Sequence, residues 1–352
     1  MRLLESVRGF VRQRPWSSAV VFTLILLPVF AYVLFWAPNT TSLASERVVA
    51  VPRGATFKSV GDSLEASGVL RNRWTFDLAG RILGLTRTMK VGKYLFPQGL
   101  SNASILRDIA EGKSRILITV SIPEGWRLER SAIRFNQQLG TDTERFIELC
   151  QSPRFVRSQG VDASSLEGYL MPDTYKFLWQ PEEEDVIARM VGEFKRFYVD
   201  SLRKRQESMK LSLNQVLTLA SIVEAETQLD EERPIIAGVY FNRLKKRMRL
   251  EADPTVEYAI PDGPRRLSYS DLRLDSPYNT YRYYGLPPGP INSPGRKSIL
   301  AILYPETHSY LYFVANGSGG HTFSRTYAEH RKAVRAYRRL RKEAVTNSRT
   351  IG

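Results

Sequence analysis

The sequence predicts an α+β protein made of one N-terminal transmembrane helix, a small α/β module and a larger domain of mixed helices and strands. Three observations carry this: a charge-free run from Ser17 to Trp36, a strand-turn-helix pattern that occurs twice, and a series of helical periodicities beyond residue 119. With 352 residues, 43% of them hydrophobic, the chain is long enough for about two domains with real cores.

The run SSAVVFTLILLPVFAYVLFW, residues 17–36, has the length of a helix that crosses the hydrocarbon layer, and Pro28 is tolerable there. Arg2, Arg8, Arg12 and Arg14 precede it against one acid, Glu5, whereas its other flank begins Ala37-Pro38-Asn39-Thr40. Positive charge stays inside, so residues 1–16 are expected in the cytoplasm and everything after residue 36 outside. Ser42 and Ala44 imitate a signal-peptidase site, but the apolar run exceeds a signal h-region and a retained single-pass anchor is expected. A polar linker, 37–46, follows.

Residues 47–118 form the small module. RVVAVPRGATFKSVGDSLEASGVL reads as a strand, a Pro-x-Gly turn and an amphipathic helix bearing Val60 and Leu64. VSIPEGWRLERSAIRF repeats it, pairing Val51, Pro52 and Gly54 with Ile122, Pro123 and Gly125. Between the copies, KVGKYLFPQGLSNASILRDIAEGK reads as a strand and a helix from Ser104 to Glu111.

The larger domain, 119–342, is expected to hold helices around Arg127–Gln138, Thr143–Gln151, Glu183–Lys204, Leu213–Thr227 and Glu231–Lys246. From Leu250 to Pro294 the chain is dense in Pro, Gly, Asp and Tyr, which suits the wall of a cleft. Asn316 to Gly320, NGSGG, reads as a hairpin turn between YLYFVA and HTFS. RKAVRAYRRLRK, 331–342, carries Val334, Tyr337 and Leu340 on one stripe and reads as an amphipathic helix with a solvated basic face, followed by a polar tail, 343–352.

Several function classes are disfavoured. Cys150 is alone, so no internal disulfide forms; the three histidines and this cysteine show no zinc spacing, and no metal or cofactor is expected. A net charge of +15 invites a nucleic-acid reading, yet no nucleic-acid module is recognisable and no such partner is expected. A basic extracytoplasmic surface would instead gather anionic polymers or lipid headgroups.

The candidate for chemistry is Glu224. Ser212 and Gln215 make a capping box that starts a helix, and Leu213, Leu217 and Ala220 share a face with Glu224. A carboxyl on an apolar stripe is expected to lose water and to become a proton donor near neutral pH. The competing reading pairs it with a cation such as Arg243. Glu226, two positions on, points about 200° away round the axis.

The segments Glu167-Gly-Tyr-Leu-Met-Pro-Asp-Thr-Tyr175, Leu219-Ala-Ser-Ile-Val-Glu-Ala-Glu-Thr227, Asn242-Arg-Leu244, Asp253-Pro-Thr-Val256, Asn279-Thr-Tyr281 and Gly285-Leu-Pro-Pro-Gly-Pro-Ile291 resemble those of the YceG-like, or MltG-type, endolytic murein transglycosylases. The resemblance implies a bitopic inner-membrane protein with a LysM-like module and a periplasmic catalytic domain. It implies cleavage of the β-1,4 bond between N-acetylmuramic acid and N-acetylglucosamine within nascent strands, leaving a 1,6-anhydro end and terminating polymerisation beside the glycan synthases. The family's catalytic Glu is placed on Glu224, and Glu167, Asp173, Tyr175, Glu226, Asn242, Arg243, Asp253, Thr255, Asn279 and Tyr281 become candidates for substrate contact. Glu251 stands where many relatives are expected to have Gln, adding negative charge near the cleft. A membrane-anchored murein-binding scaffold and a hydrolytic muramidase are the alternatives.

Overall fold

The computed structural model describes residues 15–39, 46–261, 263 and 265–350, the side chains of 15–19, 21 and 344–350 excepted. The predicted basic tail, apart from its last two residues, and most of the predicted linker lie outside the described residues. The chain divides into two compact units, one running to Ile118 and taking in Lys176–Gln180, the other made of Thr119–Tyr175 and the chain from Pro181 onward.

In the first unit, helix α1 (Pro15–Phe35) covers the apolar run and keeps Pro28 inside it. Val20, Phe22, Leu24, Leu27 and Phe30 are exposed, on all sides of the helix. Its C-terminal end is tied down, with Leu34 buried and its carbonyl accepting from Asn102 Nδ2 at 2.9 Å. Among the described residues no helix is long and apolar enough to cross a membrane.

Strand β1 (Arg47–Val51), helices α2 (Phe57–Ala66) and α3 (Arg73–Ile82), strand β2 (Gly92–Phe96) and helix α4 (Asn102–Glu111) complete this unit. β1 and β2 pair antiparallel, Arg47 opposite Phe96 and Val51 opposite Gly92. Period-two alternation turns Val49, Val51, Tyr94 and Phe96 inward, where they meet Val60, Leu64, Phe76, Ile105 and Ile109. Thr56, Asn72 and Ser101 cap the three helices, each side chain accepting from the backbone N–H three residues on. Helix α3 was not among the sequence expectations, although its cap Asn72 is a start signal.

Strand β3 (Ile118–Ser121) pairs with β4 (Thr174–Phe177). Helices α5 (Leu128–Leu139), α6 (Thr143–Gln151) and α7 (Pro153–Ser158) lie between them in sequence; α8 (Glu183–Phe197) and α9 (Asp200–Ser208) follow. The repeat holds in detail: Gly54 and Gly125 sit at φ +75° and +73°, a left-handed turn that favours glycine, and each is followed by a helix. The single helix expected over Glu183–Lys204 is two. Tyr198 breaks the backbone pattern (φ −84°, ψ 67°), its buried ring stacking on Phe194 at 5.5 Å.

Helix α10 (Leu213–Glu226) starts at the predicted capping box and runs through the middle of the unit, with every residue from Val216 to Val223 buried. Around it come α11 (Arg233–Lys245), α12 (Asp253–Ala259) and α13 (Arg296–Leu303). The last two fall in or beside the stretch expected to be loop: Asp-Pro and Pro-Gly read as turns, but here Pro254 opens α12 and Gly295 precedes α13. Strands β5 (Tyr312–Ala315) and β6 (His321–Ser324) form the predicted hairpin, Ala315 opposite His321, closed by Asn316 Oδ1 on the Ser318 and Gly320 amides. Helix α14 (Tyr327–Thr350) continues through most of the predicted polar tail.

Candidate active site

The two acids at the end of α10 face different ways, as two steps of 100° require. Glu224 is sheltered as expected, its side chain 7% exposed. Its Oε2 accepts from the Gly295 amide at 2.9 Å and the Ser298 hydroxyl at 2.7 Å, and its Oε1 lies 3.3 Å from Arg233 Nη2. Gly295 and Ser298 are the N-cap and first turn of α13, where unpaired amides and the helix dipole favour an anion. Glu224 therefore clamps α10 to α13. Its cationic partner is Arg233 rather than Arg243, and neither oxygen is left without a protein donor. Glu124, in the turn after β3, is raised by burial and by the charge of Glu224.

Glu226 has a different setting. The Tyr240 hydroxyl donates to its Oε1 at 2.7 Å, and the carboxyl opens on a cavity of about 290 Å³. Loss of water pushes its pKa up to about 7; the charges of Asp253 and Glu257 add to the rise, and Tyr240 and Arg243 oppose it. The cavity is also lined by Arg243, Glu251, Asp253, Tyr281, His321 and His330. Tyr281 donates to Asp253 Oδ1 at 2.6 Å, and Arg243 Nη1 lies 3.1 Å from Glu251 Oε2. Six segments, α10, α11, the 250–253 turn with the start of α12, the loop of Tyr281, the hairpin and α14, thus supply one hollow.

Of the residues expected to touch substrate, Glu226, Arg243, Asp253 and Tyr281 meet in this cavity. The other six each bond to the protein through at least one polar atom. Asn242 Nδ2 donates to the carbonyls of His308 and Tyr310, and Asn279 Nδ2 to those of Leu272 and Leu274. Thr255 is buried and donates to the Ala252 carbonyl. Tyr175 is buried, its hydroxyl on the Met171 carbonyl, and Asp173 pairs with Arg296 at 3.0 Å. Glu167 is buried under the start of α5, accepting from the Leu128 amide at 3.3 Å, and burial pushes it up to about 8.

Sequence reasoning did not single out Tyr240, His321 or His330. Tyr240 lies on α11 fourteen positions from the acid it bonds, and His321 opens β6, its Nδ1 2.6 Å from Glu232 Oε2. A histidine next to the glycine-rich turn was the available signal for the second.

Residues 49–336 match the profile of the YceG-like family. The chain is 31% identical over 305 residues to the endolytic murein transglycosylase of Bacillus subtilis (strain 168), covering 82% of this chain and 84% of that one. It is 29% identical to the endolytic murein transglycosylase of Streptococcus pneumoniae (strain R6), the match spanning 78% of this chain and 55% of the longer pneumococcal protein. The crystal structure of a YceG-like protein from Listeria monocytogenes superposes with a TM-score of 0.59 at 34% identity, covering 82% of this chain and 98% of that one.

Proposed function

The chain belongs to the YceG-like family, and from that premise we infer that it is an endolytic murein transglycosylase whose proton-transfer group is Glu226. One observation carries the assignment: an acid with a pKa near 7, held by Tyr240, faces a cavity that also contains Asp253, Tyr281 and Glu251. A general acid works best when its pKa lies near the working pH.

Glu226 protonates the bridging oxygen as the bond from muramic C1 to that oxygen breaks, and positive charge develops on the muramic ring. Glu251 and Asp253 supply negative potential to that charge. The Glu226 carboxylate then removes the proton from the muramic C6 hydroxyl, whose oxygen closes on C1. One C–O bond is exchanged for another, no water is consumed, and a 1,6-anhydro end results. A single proton-shuttling carboxyl suffices, because an internal hydroxyl replaces water. Arg243, Asp253 and Tyr281 are the side chains placed to bind sugar; Glu167, Asp173, Tyr175, Asn242, Thr255 and Asn279 support the fold around them.

Helix α1 anchors the protein in the inner membrane, with the N-terminus inside and the chain after residue 36 outside. The support is its exposed apolar side chains on every face, a surface that lipid would cover. The first unit serves as a LysM-like dock for glycan, and cleavage beside the glycan synthases terminates strand growth.

The test uses the full chain in detergent with intact glycan strands. Products one water lighter than hydrolytic muropeptides are expected, lost in Glu226→Gln and retained in Glu224→Gln. Products of full mass would make the protein a hydrolytic muramidase, for which Asp253 could serve as second carboxylate. Absence of cleavage would leave a murein-binding scaffold, and loss of activity in Glu224→Gln alone would return the acid role to Glu224.

A further inference from the structure

The chain that leads into this cavity, here called its rim, carries the opposite charge to the acids of its lining, its floor. Helix α11 ends at Lys245, and the chain continues Lys246-Arg247-Met248-Arg249 before Leu250 and Glu251 enter the cavity wall. Lys245, Lys246, Arg247 and Arg249 are all exposed, and no acid interrupts the sequence between Arg243 and Glu251. Rim and floor are joined by one guanidinium: Arg243 Nη1 reaches the Arg249 carbonyl at 3.0 Å, the Leu250 carbonyl at 2.9 Å and Glu251 Oε2 at 3.1 Å.

An aromatic residue completes the rim. Tyr284 is 66% exposed, and the Arg249 guanidinium lies over its ring, 4.8 Å from the centroid. Tyr284 follows Tyr281, which donates to Asp253 inside the cavity, and the Glu251 amide donates to the Thr280 carbonyl at 3.2 Å, tying the two segments together. Cations at a helix C-terminus are stabilised by the dipole, which explains Lys245 and Lys246. That effect fades within a turn and does not reach Arg249, nor does it account for a tyrosine left in water beneath it.

We propose that this basic and aromatic rim binds the acidic peptide stem that murein carries on its muramic residues. The inference rests on the murein reading above. A stem leaves the muramic ring at C3, two ring atoms from the C1 being cut, so a ring seated at Glu226 sends its stem out through the cavity mouth. The floor, with Glu226, Glu251 and Asp253, repels the stem's carboxylates, and the rim attracts them. A guanidinium fork matches a carboxylate, and the Tyr284 ring offers a flat apolar face to the stem's aliphatic parts.

The experiment measures binding of peptide-bearing and amidase-stripped glycan strands to the full chain in detergent, on a Glu226→Gln background that prevents cleavage. Peptide-bearing strands are expected to bind about tenfold more tightly, the size of one or two charge-assisted contacts. Arg249→Glu and Tyr284→Ala should each erase that preference and leave stripped strands unaffected. With Glu226 restored, Arg249→Glu should raise KM for peptide-bearing strands about tenfold at constant kcat. Equal binding of the two strands, or equal weakening of both by Arg249→Glu, overturns the proposal, as does an Arg249-dependent capture of anionic phospholipid vesicles without any strand preference. A strand preference without cleavage by the unmutated chain would sink the enzyme reading and keep the subsite; cleavage of both strands alike would do the reverse.

Discussion

Glu224 and Glu226 leave the same helix end two residues apart and enter opposite environments. The first is surrounded by donors: a helix N-terminus, a hydroxyl and a buried arginine. The second meets one tyrosine hydroxyl and a hollow that mixes acids with Arg243, and the charges of Asp253 and Glu257 act on it more strongly than that of Arg243. Burial is common to both, so burial alone does not make an acid catalytic. What separates them is whether the surroundings supply charge compensation, which makes a clamp, or withhold it, which leaves a proton to give.

The sharpest way to break the comparison is to neutralise each acid in turn. Glu226→Gln should lower kcat for glycan cleavage by about 10³, within the range attributed to general acids, with the melting temperature unchanged at pH 5 and raised at pH 8, where the ionised Glu226 costs stability. Glu224→Gln should leave cleavage within a few-fold but lose about 3 kcal/mol of stability, because the Arg233 guanidinium, 6% exposed, then keeps the partly exposed Asp230 as its one ion-pair partner among the described residues. Denaturant unfolding beside single-turnover cleavage reads the two effects apart. A large kcat loss in Glu224→Gln with unchanged stability would reverse the roles assigned to the pair.

The sequence made the helix legible and hid the difference between its two acids. Ser212 and Gln215 are local signals, and they set the start of α10 correctly; the bounds of α6 also match the expectation, and the structure shows Asp142 as its N-cap. Period counting fails on α10, because Val216 to Val223 are buried on every side and no stripe distinguishes one face from another. The donors around Glu224 come from residues 233, 295 and 298, and the cavity of Glu226 from 240 to 330, contacts that only tertiary packing creates. The break at Tyr198 was equally hidden, since neither Pro nor Gly marks it. The segments that resemble the YceG-like family contain both acids, and among their polar residues Asn242, Thr255 and Asn279 hydrogen-bond to backbone carbonyls, bonds that the motifs alone do not reveal.

Glu167 extends the comparison to an acid that is buried without a cation. Its Oε1 has no hydrogen-bond partner, and its pKa of about 8 lies above the usual 4.5. The folded state therefore keeps a proton that the unfolded chain has released. Stability from this group is fully present below pH 4.5 and is lost as pH rises through 8, by about 4–5 kcal/mol once both states are ionised. Glu226 contributes in the same sense between 4.5 and 7. Melting temperature should thus fall from pH 5 to pH 8, and Glu167→Gln should flatten much of that decline and be more stable than the unmutated chain at pH 8. A decline of the same steepness in the variant would mean that Glu167 does not hold its proton.

The finest distinction rests on the single hydroxyl that Glu226 does accept. Tyr240 donates to the charged carboxylate and so works against the rise in pKa that burial imposes. As an acid, Glu226 is active while protonated, so kcat/KM should be level below pH 7 and fall tenfold per pH unit above it. Tyr240→Phe removes the donor without opening space, which favours the protonated form and moves the falling limb to higher pH by less than one unit. Activity at pH 6 should stay within a few-fold, with about 1 kcal/mol of stability lost with the hydrogen bond. A limb displaced to lower pH would show that the hydroxyl stabilises the protonated acid instead, adding to the rise that burial, Asp253 and Glu257 impose.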